Sequence, residues 1–242
     1  MSAGLSDFLN LSRWVAAILV VIEHLRNLLF VDYSQLVEPG LLVKGLYFIT
    51  GFGHEAVILF FIMSGYLVGG SVVAKARNNQ FQAVGYGVDR VSRLYPVFVF
   101  SLFATFLIDQ IGNLYFADAG YYNGELIGSI ASMSGIYQDH WSVDILLGNI
   151  LMMQTILVPV FGSNAPLWSL ANEAWYYVVG PFILLLPYAK SFGSKASLAV
   201  ALIVVAFIFP GHLVEGLLVL LAGAVLAVSR FGKPVHLVLG LP

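Results

Sequence analysis

The chain has 242 residues, 60% of them hydrophobic and only 10% charged, with a formal net charge of −2. A soluble domain carries roughly 25% charged residues, so water is not the main solvent for this chain. Scattered Lys and Arg leave no nucleic-acid footprint, and the lack of cysteine excludes disulfides, thiolate nucleophiles and cysteine metal sites.

Apolar runs occupy 11–31, 56–74, 94–111, 144–161, 167–188, 196–210 and 213–229, and several approach the roughly 20 residues that cross a bilayer as a helix. They predict an all-α, polytopic transmembrane helical bundle of six or seven spans, a single domain over 1–242 with the lipid bilayer as its first partner. The leading run is predicted to be a permanent span rather than a secretory signal. Its leading segment holds one Arg and, with Glu23 included, two acids, and no small-residue cleavage site follows it.

Within that first span, Arg13 and His24 are separated by ten residues. On a helix they fall within roughly 20° of the same face and about 16 Å apart along the axis. Arg13 then sits at one mouth of the span and His24 slightly past mid-membrane, where an ionisable side chain points to a functional site. A bland reading stands beside it: Arg13 snorkels to headgroups and His24 packs with a hydrogen bond. Glu23, Arg26 and Asn27 next to His24 favour function, since so many polar groups are too many for lipid-facing packing.

The second run is flanked or interrupted by Gly51, Gly53, Gly65, Gly69 and Gly70, small residues that predict close helix packing rather than a phosphate loop. The third is entered through Arg90-Val91-Ser92-Arg93-Leu94-Tyr95-Pro96. Arginine pairs grip phosphates bidentately, although a positive-inside anchor would look the same. Residues 75–93 hold Lys75, Arg77, Arg90 and Arg93, whereas 109–144 hold Asp109, Asp118, Glu125, Asp139 and Asp144 with no Lys or Arg. The first segment is therefore expected inside and the second outside, with the N-terminus cytoplasmic.

Counting 144–161 as a full crossing would strand Lys190, Lys195, Arg230 and Lys233 outside. Gly148, Asn149, Gln154, Thr155 and Pro159 also make this run a poor lipid-facing helix. It is predicted to be re-entrant or interfacial, which non-helical backbone tolerates where protein buries it. The next run opens with Leu167-Trp168-Ser169-Leu170-Ala171-Asn172-Glu173. Glu173 is a candidate acid, base or partner of His24, its pKa set by burial against nearby cations. Equally, Ser169 ahead of an acid reads as a helix start.

These stretches together resemble the membrane acyltransferase-3 family of bacterial polytopic O-acyltransferases. The first span is similar to its arginine–histidine signature, and Phe60-Phe61-Ile62-Met63-Ser64-Gly65-Tyr66-Leu67 to its second-span motif. Arg90 to Pro96 is similar to the segment leading into span three, and Leu167-Trp168-Ser169-Leu170 with Glu173 and Tyr176 to the motif of a later span. The chain departs from the pattern at Asn10 and Ile58, where acids are usual, and at Glu23, where an aromatic is usual. The family normally carries more spans, and Val235 to Pro242 reads like the opening of another, so the chain is expected to be incomplete at its C-terminus.

The resemblance implies a location in the bacterial cytoplasmic membrane, no permanently bound cofactor, and acyl-CoA, typically acetyl-CoA, as cytoplasmic donor. It also implies a carbohydrate or lipid-linked sugar as acceptor. In this reading His24 is the base, Glu173 orients or charge-balances it, Arg13 holds the donor or an acid, and Arg90 and Arg93 take the donor's phosphates. A neutral imidazole suits the task at pH 7. The rival from another class is a secondary transporter in which His24, Glu23 and Glu173 relay protons.

Overall fold

The computed structural model describes residues 3–122, Glu125 and 137–230. In hydrocarbon every backbone N–H and C=O must find an internal partner, which a helix provides within one segment. The apolar runs accordingly fold as α1 Ala3–Leu29, α2 Leu41–Ile49, α3 Gly53–Ser64, a π-helical turn Gly65–Gly69, α4 Gly70–Arg77 and α5 Ala83–Phe116. After these come α6 Val143–Ile150, α7 Leu167–Leu185, α8 Phe192–Ile208 and α9 Gly211–Arg230. No strand occurs among the described residues, so the architecture is an all-α bundle.

Four stretches are long and apolar enough to cross a membrane: Gly4–Gln35, Leu41–Arg77, Ala83–Ala119 and Gly211–Ser229. α7, with 19 residues, reaches about 28 Å but opens with the polar Ser169, Asn172 and Glu173. α8 has 17 residues, about 25 Å. On α1 the side chains of Leu11, Trp14, Ile18 and Leu25 form an exposed apolar stripe at helical spacing, the face that hydrocarbon would solvate.

The run 144–161 does not form a spanning helix. α6 has eight residues, about 12 Å, and the chain then turns irregularly with Met152 and Thr155 at positive φ. Protein partners hold several of its polar groups, although among the described residues Gln154 Oε1 and Thr155 Oγ1 stay buried without one. Fully buried Asn149 donates to the carbonyls of Ile145 and Pro159 and accepts from the N–H of Phe161. Gln154 donates to the Leu167 carbonyl, while Trp175 and Tyr95 donate to the carbonyls of Met152 and Ile150. The residues that spoil this run as a lipid-facing helix are thus the ones that seat it inside the bundle.

A re-entrant segment also sets the topology. Arg77 at the end of α4 donates to the Tyr188 hydroxyl just past α7, so those two ends coincide. α9 lies parallel to the α3–α4 rod, with Leu220 against Gly65, Ala224 against Gly69 and Ala227 against Gly70. Lys75, Arg77, Lys190, Lys195 and Arg230 therefore gather at one end of the bundle, as a re-entrant 144–161 requires. Val235 to Pro242, with Lys233, lie outside the described residues.

α9 packs closely on the end of α3 and the π-helical turn. A Cβ on Gly65 would fall 1.8 Å from the Leu220 carbonyl oxygen, and one on Gly223 would fall 2.1 Å from that of Ile62. Small residues here let two backbones touch, as the glycine pattern predicts. Around this seam Phe61, Tyr176, Val179, Leu213, Leu217 and Leu220 form one apolar core. Phe98, Leu102, Ile145, Met152, Phe161, Leu167 and Ala171 form a second between α5, the re-entrant segment and α7.

Candidate functional site

α1 and α3 run antiparallel, and two contact levels fix their register. Glu23 packs over Gly53, where a Cβ would strike its carboxylate. Further along, Arg13 and Ser64 line one cavity. That cavity has a volume of about 210 Å³ and is walled by Arg13, Phe60, Ser64, Val68, Arg93, Glu173 and Tyr177. One water occupies about 30 Å³, so the space admits a small polar group with its solvent. Three of the residues singled out from sequence, Arg13, Arg93 and Glu173, meet here from α1, α5 and α7.

The electrostatics of the cavity are unbalanced. Arg13 is within electrostatic range of Arg93, Glu173 and Tyr177, yet among the described residues neither arginine forms an ion pair. Glu173 is instead engaged by the Tyr177 hydroxyl one turn along α7, at 2.5 Å. Ser64, buried at the start of the π-helical turn, lies 3.0 Å from the same hydroxyl. A phenol has a single proton, and Tyr177 directs it at Glu173 Oε1. Tyr177 therefore donates to Glu173, and Ser64 donates to Tyr177.

Tyr177 is fixed from behind by a local consequence of sequence. Pro181 lies inside α7 and has no N–H to give the carbonyl four residues earlier. That carbonyl belongs to Tyr177, and the Tyr86 hydroxyl of α5 donates to it at 3.0 Å. The Arg90 guanidinium stacks on both rings, 5.5 Å from the Tyr86 centroid and 5.3 Å from that of Tyr177. The two arginines of the α5 segment thus part company: Arg93 lines the cavity, whereas Arg90 does not and faces tyrosine rings.

His24 does not line this cavity. It is half-buried with Glu23 in electrostatic range, and lies about 16 Å from Arg13 along the unbroken α1. The expectation that Glu173 partners His24 is not what the side chains show, because Glu173 is held by Tyr177 in the cavity that Arg13 enters. The polar group around His24 also resolves into a clasp. Arg26 pairs with Glu23 at 3.6 Å, donates to Asn27 and to the Tyr47 carbonyl, and lies 5.1 Å over the Tyr47 ring. Glu23 and Arg26 thereby tie α1 to α3 and α2. At the same level His54, next to Gly53, stacks on Trp168, with ring centroids 6.5 Å apart.

A second polar centre supports the site from outside. Asp109, read from sequence as one of the acids of an external segment, is fully buried. It accepts from the Ser163 N–H at 2.8 Å, the Ser163 hydroxyl at 2.5 Å and the Trp141 indole N–H at 3.2 Å. Asn164 donates to Thr105 one turn earlier on α5. Gly162, at φ 60°, could not carry a side chain here, because its Cβ would lie 2.4 Å from the Asp109 carboxylate. These bonds pin the loop that feeds chain into Leu167 to Glu173. Tyr122 beside them is pushed above its ordinary pKa of 10.0, first by burial and then by the Asp109 charge.

Sequence reasoning passed over Ser64 and Tyr177 as site residues. Both carried a signal: Ser64 is a hydroxyl that ends the unbroken apolar run from Ala56 to Met63, and Tyr177 follows Glu173 at i+4. Among the described residues, no cluster of three or more His, Cys, Asp or Glu could hold a metal ion.

The profile of a family described as an acyltransferase domain matches residues 6–237. An uncharacterised protein of Haemophilus influenzae is 26% identical over 143 residues, covering 54% of this chain and 49% of its own length. The chain thus spans about half the length of that curated relative. No solved structure matches.

Proposed function

The chain belongs to the acyltransferase-3 family, whose domain profile covers nearly all of it, and from that premise we propose that it transfers an acyl group, typically acetyl, from cytoplasmic acyl-CoA to a carbohydrate hydroxyl. The observation that carries this reading is the cavity with two guanidinium groups, Arg13 and Arg93, that form no ion pair among the described residues. It lies at one level of α1, with His24 about 16 Å further along the same helix. Unpaired arginines suit a diphosphate, which they can grip in bidentate fashion.

The pantetheine arm has the chain length of about four extended residues, roughly 14 Å. A donor anchored at Arg13 and Arg93 therefore brings its thioester close to the level of His24. Neutral His24 removes the proton of the acceptor hydroxyl as its oxygen attacks the thioester carbon. The C–S bond then breaks, and the imidazolium returns the proton to the departing thiolate. The cavity belongs to the end where Lys75, Arg77, Lys190 and Lys195 gather, the end that the positive-inside rule assigns to the cytoplasm. The acceptor, a surface or exported carbohydrate, reaches His24 from the opposite side.

The test is transfer of labelled acetyl from acetyl-CoA to glycan in proteoliposomes carrying the full-length protein. His24→Ala is expected to abolish transfer while leaving donor binding intact, and Arg13→Ala to weaken donor binding. Undiminished transfer by His24→Ala would remove His24 from the reaction.

A further inference from the structure

The Arg90 side chain is the feature that this reaction does not use. It sits three residues from Arg93, yet its guanidinium covers the faces of Tyr86 and Tyr177 rather than the cavity. Its Nε is buried without a hydrogen-bond partner. A phosphate ligand would present its donors to the cavity, whereas this one spends its charge on aromatic rings, an attraction that the ring quadrupole supplies.

What it holds is the hub of the cavity. Tyr177 takes a hydrogen bond at its carbonyl from Tyr86, donates from its hydroxyl to Glu173 and accepts from Ser64. Among the described residues Glu173 is the one acid of the cavity wall, opposite two arginines that form no ion pair. Released, its carboxylate would be drawn to those arginines and would compete with any anion entering. Held by the phenol, it leaves them open.

We propose that Tyr177 is a positioning residue of the donor cavity, steadied by Arg90 on its ring, and that it restrains Glu173 so that Arg13 and Arg93 stay available to the anionic donor. The inference rests on the acyl-CoA reading above and deepens it: Arg93 meets the donor's phosphates, while Arg90 acts only through Tyr177. The hydroxyl matters for the restraint, and the ring matters for the stacking.

The experiment measures acetyl-CoA binding to the purified full-length protein by calorimetry across a salt series, with thermal unfolding recorded for each variant. Tyr177→Phe is expected to weaken binding about tenfold, the value of one hydrogen bond to a charged group. Adding Glu173→Gln to Tyr177→Phe is expected to restore the affinity, because a neutral amide no longer competes for the arginines. Arg90→Gln is expected to weaken binding about threefold, in line with one cation–π contact, with the salt dependence unchanged. Arg93→Gln should flatten the salt dependence, since screening acts on a direct charge contact.

Unchanged binding in Tyr177→Phe, or a loss that Glu173→Gln does not restore, overturns the proposal. Where Tyr177→Phe does not fold, the Arg90 arm decides: flattening of the salt dependence by Arg90→Gln would make it a phosphate ligand and refute the positioning role. If the wild type binds no acetyl-CoA, the donor reading itself fails and takes this inference with it. Wild-type binding with an unaffected Tyr177→Phe leaves the donor reading standing and removes only the inference.

Discussion

Replacing Asp109 with Ala tests whether the loop feeding α7 is held by one buried carboxylate. The substitution removes the acceptor of three hydrogen bonds, from the Ser163 N–H, the Ser163 hydroxyl and the Trp141 indole. Each hydrogen bond to a charged group contributes about 1.5–3 kcal/mol, but the three share one carboxylate and do not add independently. Breaking a buried charge network costs about 3–5 kcal/mol. For a domain of this size that corresponds to a fall in Tm of roughly 6–20 °C. The assay is thermal unfolding in detergent, with limited proteolysis across 159–166 as a local probe. Asp109→Asn keeps one acceptor oxygen and should lose about half as much. A shift below about 2 °C for Asp109→Ala would show that Ser163 and Trp141 find other partners and that the loop does not depend on this carboxylate.

Other substitutions probe the same contacts. Gly65→Val places its Cβ 1.8 Å from the Leu220 carbonyl oxygen and should destabilise the bundle by at least about 1–3 kcal/mol, read as a lower unfolding temperature. Asn149→Leu orphans the Phe161 N–H in the buried re-entrant segment and should cost about 1–3 kcal/mol, read in the same way. Arg93→Gln should raise the KM for acetyl-CoA about tenfold, one charged hydrogen bond, with kcat little changed, as steady-state kinetics will show. For Tyr122 the folded-state pKa lies above 10.0, so its neutral form is favoured by folding. The stability it contributes is full below pH 10 and is lost as pH rises through the folded value; unfolding followed across alkaline pH should show this dependence weaken in Tyr122→Phe.

The helices were legible because apolar runs leave the backbone no other partner in hydrocarbon. The fate of 144–161 was legible too: Asn149 and Gln154 could not face lipid, and both are buried against backbone carbonyls. Gly65, Gly69 and Gly70 announced a close crossing, and α9 supplies it. Less visible was which end of α1 Glu173 would serve, since that depends on how α7 registers against α1. Nor does residue type distinguish Arg93 from Arg90. The first faces the cavity and the second is taken by Tyr86 and Tyr177, through a carbonyl that Pro181 leaves free. Asp109 looked like one more acid of a solvated segment, and only the fold of 159–165 around it makes it a buried acceptor.

On the proposed reading the donor's phosphates rest at Arg13 and Arg93, and its acyl end lies about 16 Å away along α1, beside His24. Photo-crosslinking the full-length protein with an acyl-CoA carrying a diazirine on its acyl chain, followed by peptide mapping, measures this directly. Labelling is expected around Glu23, His24 and His54, and Arg13→Gln should abolish it. Labelling confined to Phe60–Val68 and Glu173–Tyr177 would place the thioester in the arginine cavity and contradict the assignment of His24 as the base.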